Sequence, residues 1–151
     1  MKPFLVIIFC LFSTIFYSQS TQVECVTISN DGSVILKIWN PKKGKKYKQE
    51  QAFKDALEIY LINGLNSESC GNVSPLLKTE SEKTAFIKVE SEFFSKKGDW
   101  SRFITNSTTT TTTSKLIDQT VWKTYQVSIS KNELRKYLEN KSILKPLNTG
   151  F

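Results

Sequence analysis

The chain has 151 residues, 21 Lys+Arg against 14 Asp+Glu, a formal net charge of +7 and no histidine. The missing histidine removes Ser-His and Cys-His nucleophile pairs and the commonest zinc ligand, and the length suits one domain with a modest core. Only Arg102 and Arg135 are arginines. A lysine-dominated excess argues against nucleic acid, whose readers favour the bidentate guanidinium fork, and suits a protein that moves along anionic envelope surfaces.

The chain opens MKPFLVIIFCLFSTIFYSQSTQ, with Lys2 ahead of an uncharged apolar run from Phe4 to Phe16. A spanning helix needs about 20 such residues. The shorter run, with small Ser18 and Ser20 beyond it, has the form of a signal peptide over 1–20, cleaved near Ser18 to Ser20. An uncleaved anchor is the other reading. Cys10 lies inside the apolar run behind Phe9, not at its end beside small residues as a lipid-modified cysteine would. Cleavage leaves about 131 residues with a net charge near +6, in one domain over 21–151. It also leaves Cys25 and Cys70. In an oxidising compartment these form a candidate disulfide closing a loop of about 46 residues; two free thiols are the alternative.

VECVTISNDGSVILKIW has the form of a β-hairpin. Val34, Leu36 and Ile38 alternate with Ile35, Lys37 and Trp39, Asn30-Asp31-Gly32 supplies the turn, and Pro41 ends the strand. From Lys46 to Asn63 the period becomes helical. Ala52, Ala56, Ile59 and Tyr60 form a stripe widened by Phe53 and Leu57, and Asn63-Gly64 is a C-terminal stop. LNSESCGNVSP reads as a loop. A second helix runs from a Thr79/Glu82 capping box through Phe86 and Phe93 to Lys96, Lys97 and Gly98. DWSRFIT reads as a short strand. Threonines 108–113 have high β propensity but no apolar side to bury, so 106–114 reads as an exposed Thr-rich loop or the tip of a long hairpin. A glycan-bearing stalk is the functional alternative. A strand follows, with Val121, Tyr125, Val127 and Ile129 in alternation. Ser130 and Glu133 have capping-box spacing for a last helix to Asn140. The order ββααββα predicts an α+β fold, a two-layer sandwich with a mainly antiparallel sheet and helices on one face.

The chemistry-bearing residues are few. Two cysteines 45 positions apart make no metal-ligand cluster, and PKKGKK is no phosphate-binding loop. Glu80, Glu82, Glu90 and Glu92 could in principle supply a carboxylate pair, but Glu82 fits capping and the others alternate with lysines. Trp39 and Trp122 read as core or strand-face packing, Trp100 follows a helix end, and burial is expected for at least two of the three. Lys42, Lys43, Lys45, Lys46 and Lys48 stand at the positive end of the first helix, where each costs about 0.3–1 kcal/mol if within the first turn. Either they precede the helix and project into water, or they and free backbone N–H groups hold an anion.

One packing pattern resembles a known family. A strand, a turn at Gly44, then QAFKDALEIYLINGL with Ala52, Ala56 and Gly64, returning through TYQVSI, is similar to small exported envelope modules. Among these are the amino-terminal domain of flagellar assembly protein T, related envelope lipoproteins, and exported proteins of Bacteroidota whose signal peptides end in Ser-Gln. The likeness covers about residues 33–65 and 120–140 and lacks that protein's further domains. It implies an adaptor-like role and carries over no active-site residue. The expectation is therefore an exported, periplasmic or secreted, non-enzymatic module without cofactor that binds another envelope protein. An anion or lipid-headgroup binder using lysines 42–48, on an anionic membrane surface, is the alternative; a carboxylate hydrolase is a third.

Overall fold

The computed structural model describes residues 21–113 and 121–147; the signal-peptide reading of 1–20 lies outside them. Strands β1 (Gln22–Ile28) and β2 (Val34–Trp39) precede helix α1 (Gln49–Ile62). A short hairpin, β3 (Leu65–Ser67) and β4 (Gly71–Val73), leads to α2 (Glu80–Phe93). Strands β5 (Ile104–Thr113) and β6 (Val121–Ile129) and helix α3 (Lys131–Asn140) follow. The fold is α+β with antiparallel sheets. Its order, ββαββαββα, corrects the expected ββααββα, because 65–73 pairs as a hairpin and does not remain a loop.

The main sheet has the order β1-β2-β6-β5, antiparallel throughout. Register explains its buried face. Cys25, Leu36 and Val127 form one cross-strand row, and Val23, Ile38 and Tyr125 the next. Of these six, all but the half-buried Val23 are at most 2% exposed. Helix α1 packs on β2 and β6, and its Ala52 and Ala56 are both fully buried. The small side chains let backbone and sheet approach closely, as the spacing predicted. The helix stops where Gly64 takes φ +68°, and a Cβ there would meet the Val73 carbonyl oxygen at 2.5 Å.

Helix α2 begins at the expected capping box. Thr79 Oγ1 accepts from the Glu82 N–H at 3.2 Å, and Glu82 Oε2 accepts from the Thr79 N–H at 2.9 Å. It ends at Phe93, earlier than Gly98, because the chain turns there into a tight bend. Phe93 stacks on Phe103 at 6.0 Å and meets Tyr137 of α3 at 5.6 Å. These rings join α2, the 3₁₀ turn Asp99–Phe103 and α3. That turn replaces the strand expected over DWSRFIT, which starts only at Ile104. The Ser130/Glu133 capping box does not form. The Ser130 N–H is already donated to the Phe103 carbonyl, and Glu133 pairs with Lys136 instead. Of the two readings of the Thr-rich segment, the long hairpin holds for the described part: 106–113 is strand, with Thr113 paired with Val121, while residue 114 lies outside the described residues; there β propensity prevails without an apolar side.

Cys25 and Cys70 are disulfide-bonded, with Cα atoms 6.0 Å apart. The bond ties the β3–β4 hairpin to the edge strand β1, where Ser67 Oγ also donates to the Cys25 carbonyl at 3.3 Å. Closing a loop across a sequence separation of 45 contributes about 4 kcal/mol in the chain-entropy account. Replacing both cysteines with serine is therefore expected to lower Tm by roughly 10 °C or more, read by thermal melting under oxidising conditions. An unchanged Tm would show that the tether does not restrain the unfolded chain.

Candidate functional site

The lysine segment leaves β2 at Asn40, which is 1% exposed. The Asn40 carbonyl accepts from the Gly44 N–H, and Asn40 Oδ1 accepts from the Lys43 N–H, both at 3.0 Å. Residues Gly44–Lys46 then form one 3₁₀ turn, with Gly44 at φ +49°. Helix α1 starts only at Gln49, so Lys42, Lys43, Lys45 and Lys46 precede it and only Lys48 stands at its N-cap. The dipole cost therefore falls on one lysine, and Glu50 in the first turn offsets it. All five lysines are exposed.

Between them Tyr47 turns inward and is fully buried. Its hydroxyl donates to Asp55 Oδ2 at 2.8 Å, and its carbonyl accepts from the Tyr125 hydroxyl at 2.7 Å. The two tyrosine rings meet edge to face at 5.8 Å. Burial first, then the Asp55 carboxylate, push the Tyr47 hydroxyl well above its ordinary pKa, so it remains a donor at any physiological pH. Asp55 also accepts from Gln51 at 2.6 Å and from Thr21 at 3.3 Å. Thr21 Oγ1 in turn accepts from Asn40 Nδ2 at 3.0 Å. One polar network thus pins the start of β1, the end of β2, the lysine turn, α1 and β6 together.

The same end of the sheet carries aromatic side chains. Trp39 lies opposite Thr124, and Trp122 lies two residues before Thr124, so both tryptophans share the face opposite the apolar rows. Both are half-buried, whereas Trp100 is 7% exposed with Nε1 bonded to the Ser95 carbonyl. Burial of at least two tryptophans is thereby corrected to one. Lys37 Nζ stands 5.7 Å from the Trp39 ring centroid and Lys43 Nζ 5.5 Å from that of Tyr47.

The carboxylates are otherwise engaged. Glu82 and Glu139 both line a cleft of about 690 Å³ between α2 and the segment after α3. Burial would raise the Glu82 carboxyl, but N–H donors from Thr79 and Lys78 hold it below its ordinary value. Glu139 lies 2.8 Å from Arg135. Glu80 pairs with Lys83 at 3.0 Å, and Glu92 is exposed. Among the described residues no group of three or more His, Cys, Asp or Glu could hold a metal ion, and no helix is long and apolar enough to cross a membrane. Comparisons with protein families, curated proteins and solved structures gave no match.

Glu58 of α1 was not singled out by sequence. Its side chain is exposed, and partial desolvation against the helix surface first, then the carboxylates of Glu90 and Asp55, raise its pKa. An acid with a raised folded-state value destabilises the fold when ionised, and the penalty fades as pH falls through that value. Glu58→Gln is therefore expected to raise Tm at pH 7, with the gain gone below the ordinary value of 4.5, where both states are protonated. Thermal melts of both proteins across pH 3.5–8 check this; a gain independent of pH would contradict it.

Proposed function

We propose that this chain is an exported, non-enzymatic module of the cell envelope that docks through lysines 42, 43, 45, 46 and 48 on an acidic surface of another envelope protein. The observation that carries the reading is the anchored lysine turn. Five ammonium groups project from a segment with no acidic residue between Asp31 and Glu50, held by a buried tyrosine rather than left to spread apart. Rigid presentation reduces the ordering cost of an electrostatic interface. The large hydrophobics most exposed among the described residues, Val26, Ile28, Ile87 and Leu147, belong to β1, α2 and the segment after α3, which favours charge over an apolar patch. The disulfide is in keeping with an oxidising compartment. The likeness of 33–65 and 120–140 to exported envelope modules points the same way. A two-layer arrangement, with helices on the apolar face only, accompanies this reading and leaves the polar face and the lysine end open.

A second reading, an anionic lipid surface, is favoured by one feature. Thr21 is hydrogen-bonded at the lysine end, so the start of β1 and all five exposed lysines lie together at one end of the domain. Near an anionic leaflet each lysine contributes about 1 kcal/mol.

Two assays on the mature chain separate these readings, each with Lys43, Lys45 and Lys46 changed to Glu as control. Capture from envelope extracts should retain a protein that the variant loses and that high salt releases. Sedimentation with phosphatidylglycerol vesicles, against neutral phosphatidylcholine, tests the lipid reading. A protein partner that survives both charge reversal and salt would place recognition elsewhere. Binding to anionic vesicles alone would replace the first reading with the second.

A further inference from the structure

Near the carboxy-terminal end of α1, the end away from the lysine turn, a second cleft of about 370 Å³ opens between the β1–β2 turn, Tyr60, the segment 72–78 and the start of α3. Its size falls at the lower end of the 300–1,000 Å³ usual for ligand pockets. The floor is apolar: Val34, Leu76 and the ring of Tyr60, each at most 6% exposed. Ile28, 49% exposed, forms an apolar wall that no other part of the described chain covers fully. The rim is basic. Lys78 precedes the cap of α2, Lys131 is the first residue of α3, and Arg135 follows one turn later. No acidic side chain lines this cleft. Arg135 is already engaged by Glu139 at 2.8 Å and by the Lys145 carbonyl at 3.4 Å, so the uncommitted positive charge belongs to Lys78 and Lys131.

Two features point to an anionic head. Tyr60 is 1% exposed, yet its hydroxyl has no hydrogen-bond partner among the described residues and is not sealed from solvent. The hydroxyl therefore faces the cleft free to donate to a bound acceptor. Burial pushes its pKa up to about 12, so at neutral pH it is a donor. The second feature is α3 itself, a helix of 10 residues whose N-cap Ser130 makes no side-chain cap bond and whose first turn carries one acid, Glu133, so first-turn N–H groups stay available to an acceptor beside Lys131.

We propose that this cleft binds an amphipathic anion, a carboxylate or phosphate head on a short apolar body, with Lys78, Lys131 and the Tyr60 hydroxyl receiving the head and Val34, Leu76 and Ile28 the body. The site uses none of the lysines 42–48 and stands apart from their role.

The test is an NMR titration of the ¹⁵N-labelled, disulfide-bonded mature chain with octanoate, octyl phosphate, 1-octanol and inorganic phosphate. Octanoate or octyl phosphate should shift the amides of Ile28, Leu76 and Lys131, and whichever binds tighter identifies the head. Octanol should bind at least about tenfold more weakly, the equivalent of 1.4 kcal/mol for the lost charge contacts, and inorganic phosphate more weakly than octyl phosphate. Lys131→Gln, on an exposed side chain, should weaken binding about fivefold with Tm unchanged. Tyr60→Phe should weaken it while removing no packing atoms of the ring. Octanol binding as tightly as octanoate, shifts confined to the 42–48 turn, or full affinity in Lys131→Gln would each overturn the proposal.

Discussion

The lysine turn depends on one buried side chain. Tyr47 enters the core at the junction of β2, α1 and β6, and its hydroxyl and carbonyl are both satisfied there, the hydroxyl by Asp55 and the carbonyl by Tyr125. Without this anchor, five ammonium groups within seven residues, 42–48, would repel one another and take an extended, solvated arrangement. With it, the same residues form a 3₁₀ turn of fixed direction. The network reaches Thr21 and Asn40 as well, so the start of β1 and the place where the charge concentrates are fixed against each other.

Elsewhere the fold relies on packing and a tether rather than on ion pairs. The salt bridges among described residues all join positions three or four apart; apart from the half-buried Arg135–Glu139 pair they are surface pairs, worth only about 0.3–0.5 kcal/mol each. What links distant elements is the apolar face of the sheet on α1, the rings of Phe93, Phe103 and Tyr137, and the bond from Cys25 to Cys70. The last also shields part of the β1 edge. The β3–β4 hairpin docks beside it, and Ser67 takes the Cys25 carbonyl that an open edge would present to other chains.

Period and punctuation revealed much of this in the sequence. The alternation of Val34, Leu36 and Ile38 gave the buried face, and Ala52 and Ala56 gave the contact of α1 with the sheet. The Thr79/Glu82 box formed because nothing competes for its N–H groups. The same spacing at Ser130 and Glu133 failed, since a distant carbonyl, Phe103, had taken the Ser130 N–H. That competitor is 27 residues away in sequence and invisible to a local rule. The hairpin at 65–73 was hidden for a related reason: its composition is that of a loop, and it pairs where Cys70 and Ser67 hold it. Trp39 and Trp122 pack on a strand face, one of the two readings open to them, and strand parity, not hydrophobicity, keeps them out of the core. The Tyr60 cleft left no local signal, being assembled from four separate segments.

The account stands on the claim that the lysine turn is rigid, and ¹⁵N relaxation of the mature chain tests it most directly. Backbone order parameters of residues 43–47 should match those of α1, near 0.85, and should fall in Tyr125→Phe, which removes the hydroxyl that holds the Tyr47 carbonyl. Values below about 0.6 in the unaltered protein would show a mobile turn, and the lysines would then be solvated side chains with no presented surface.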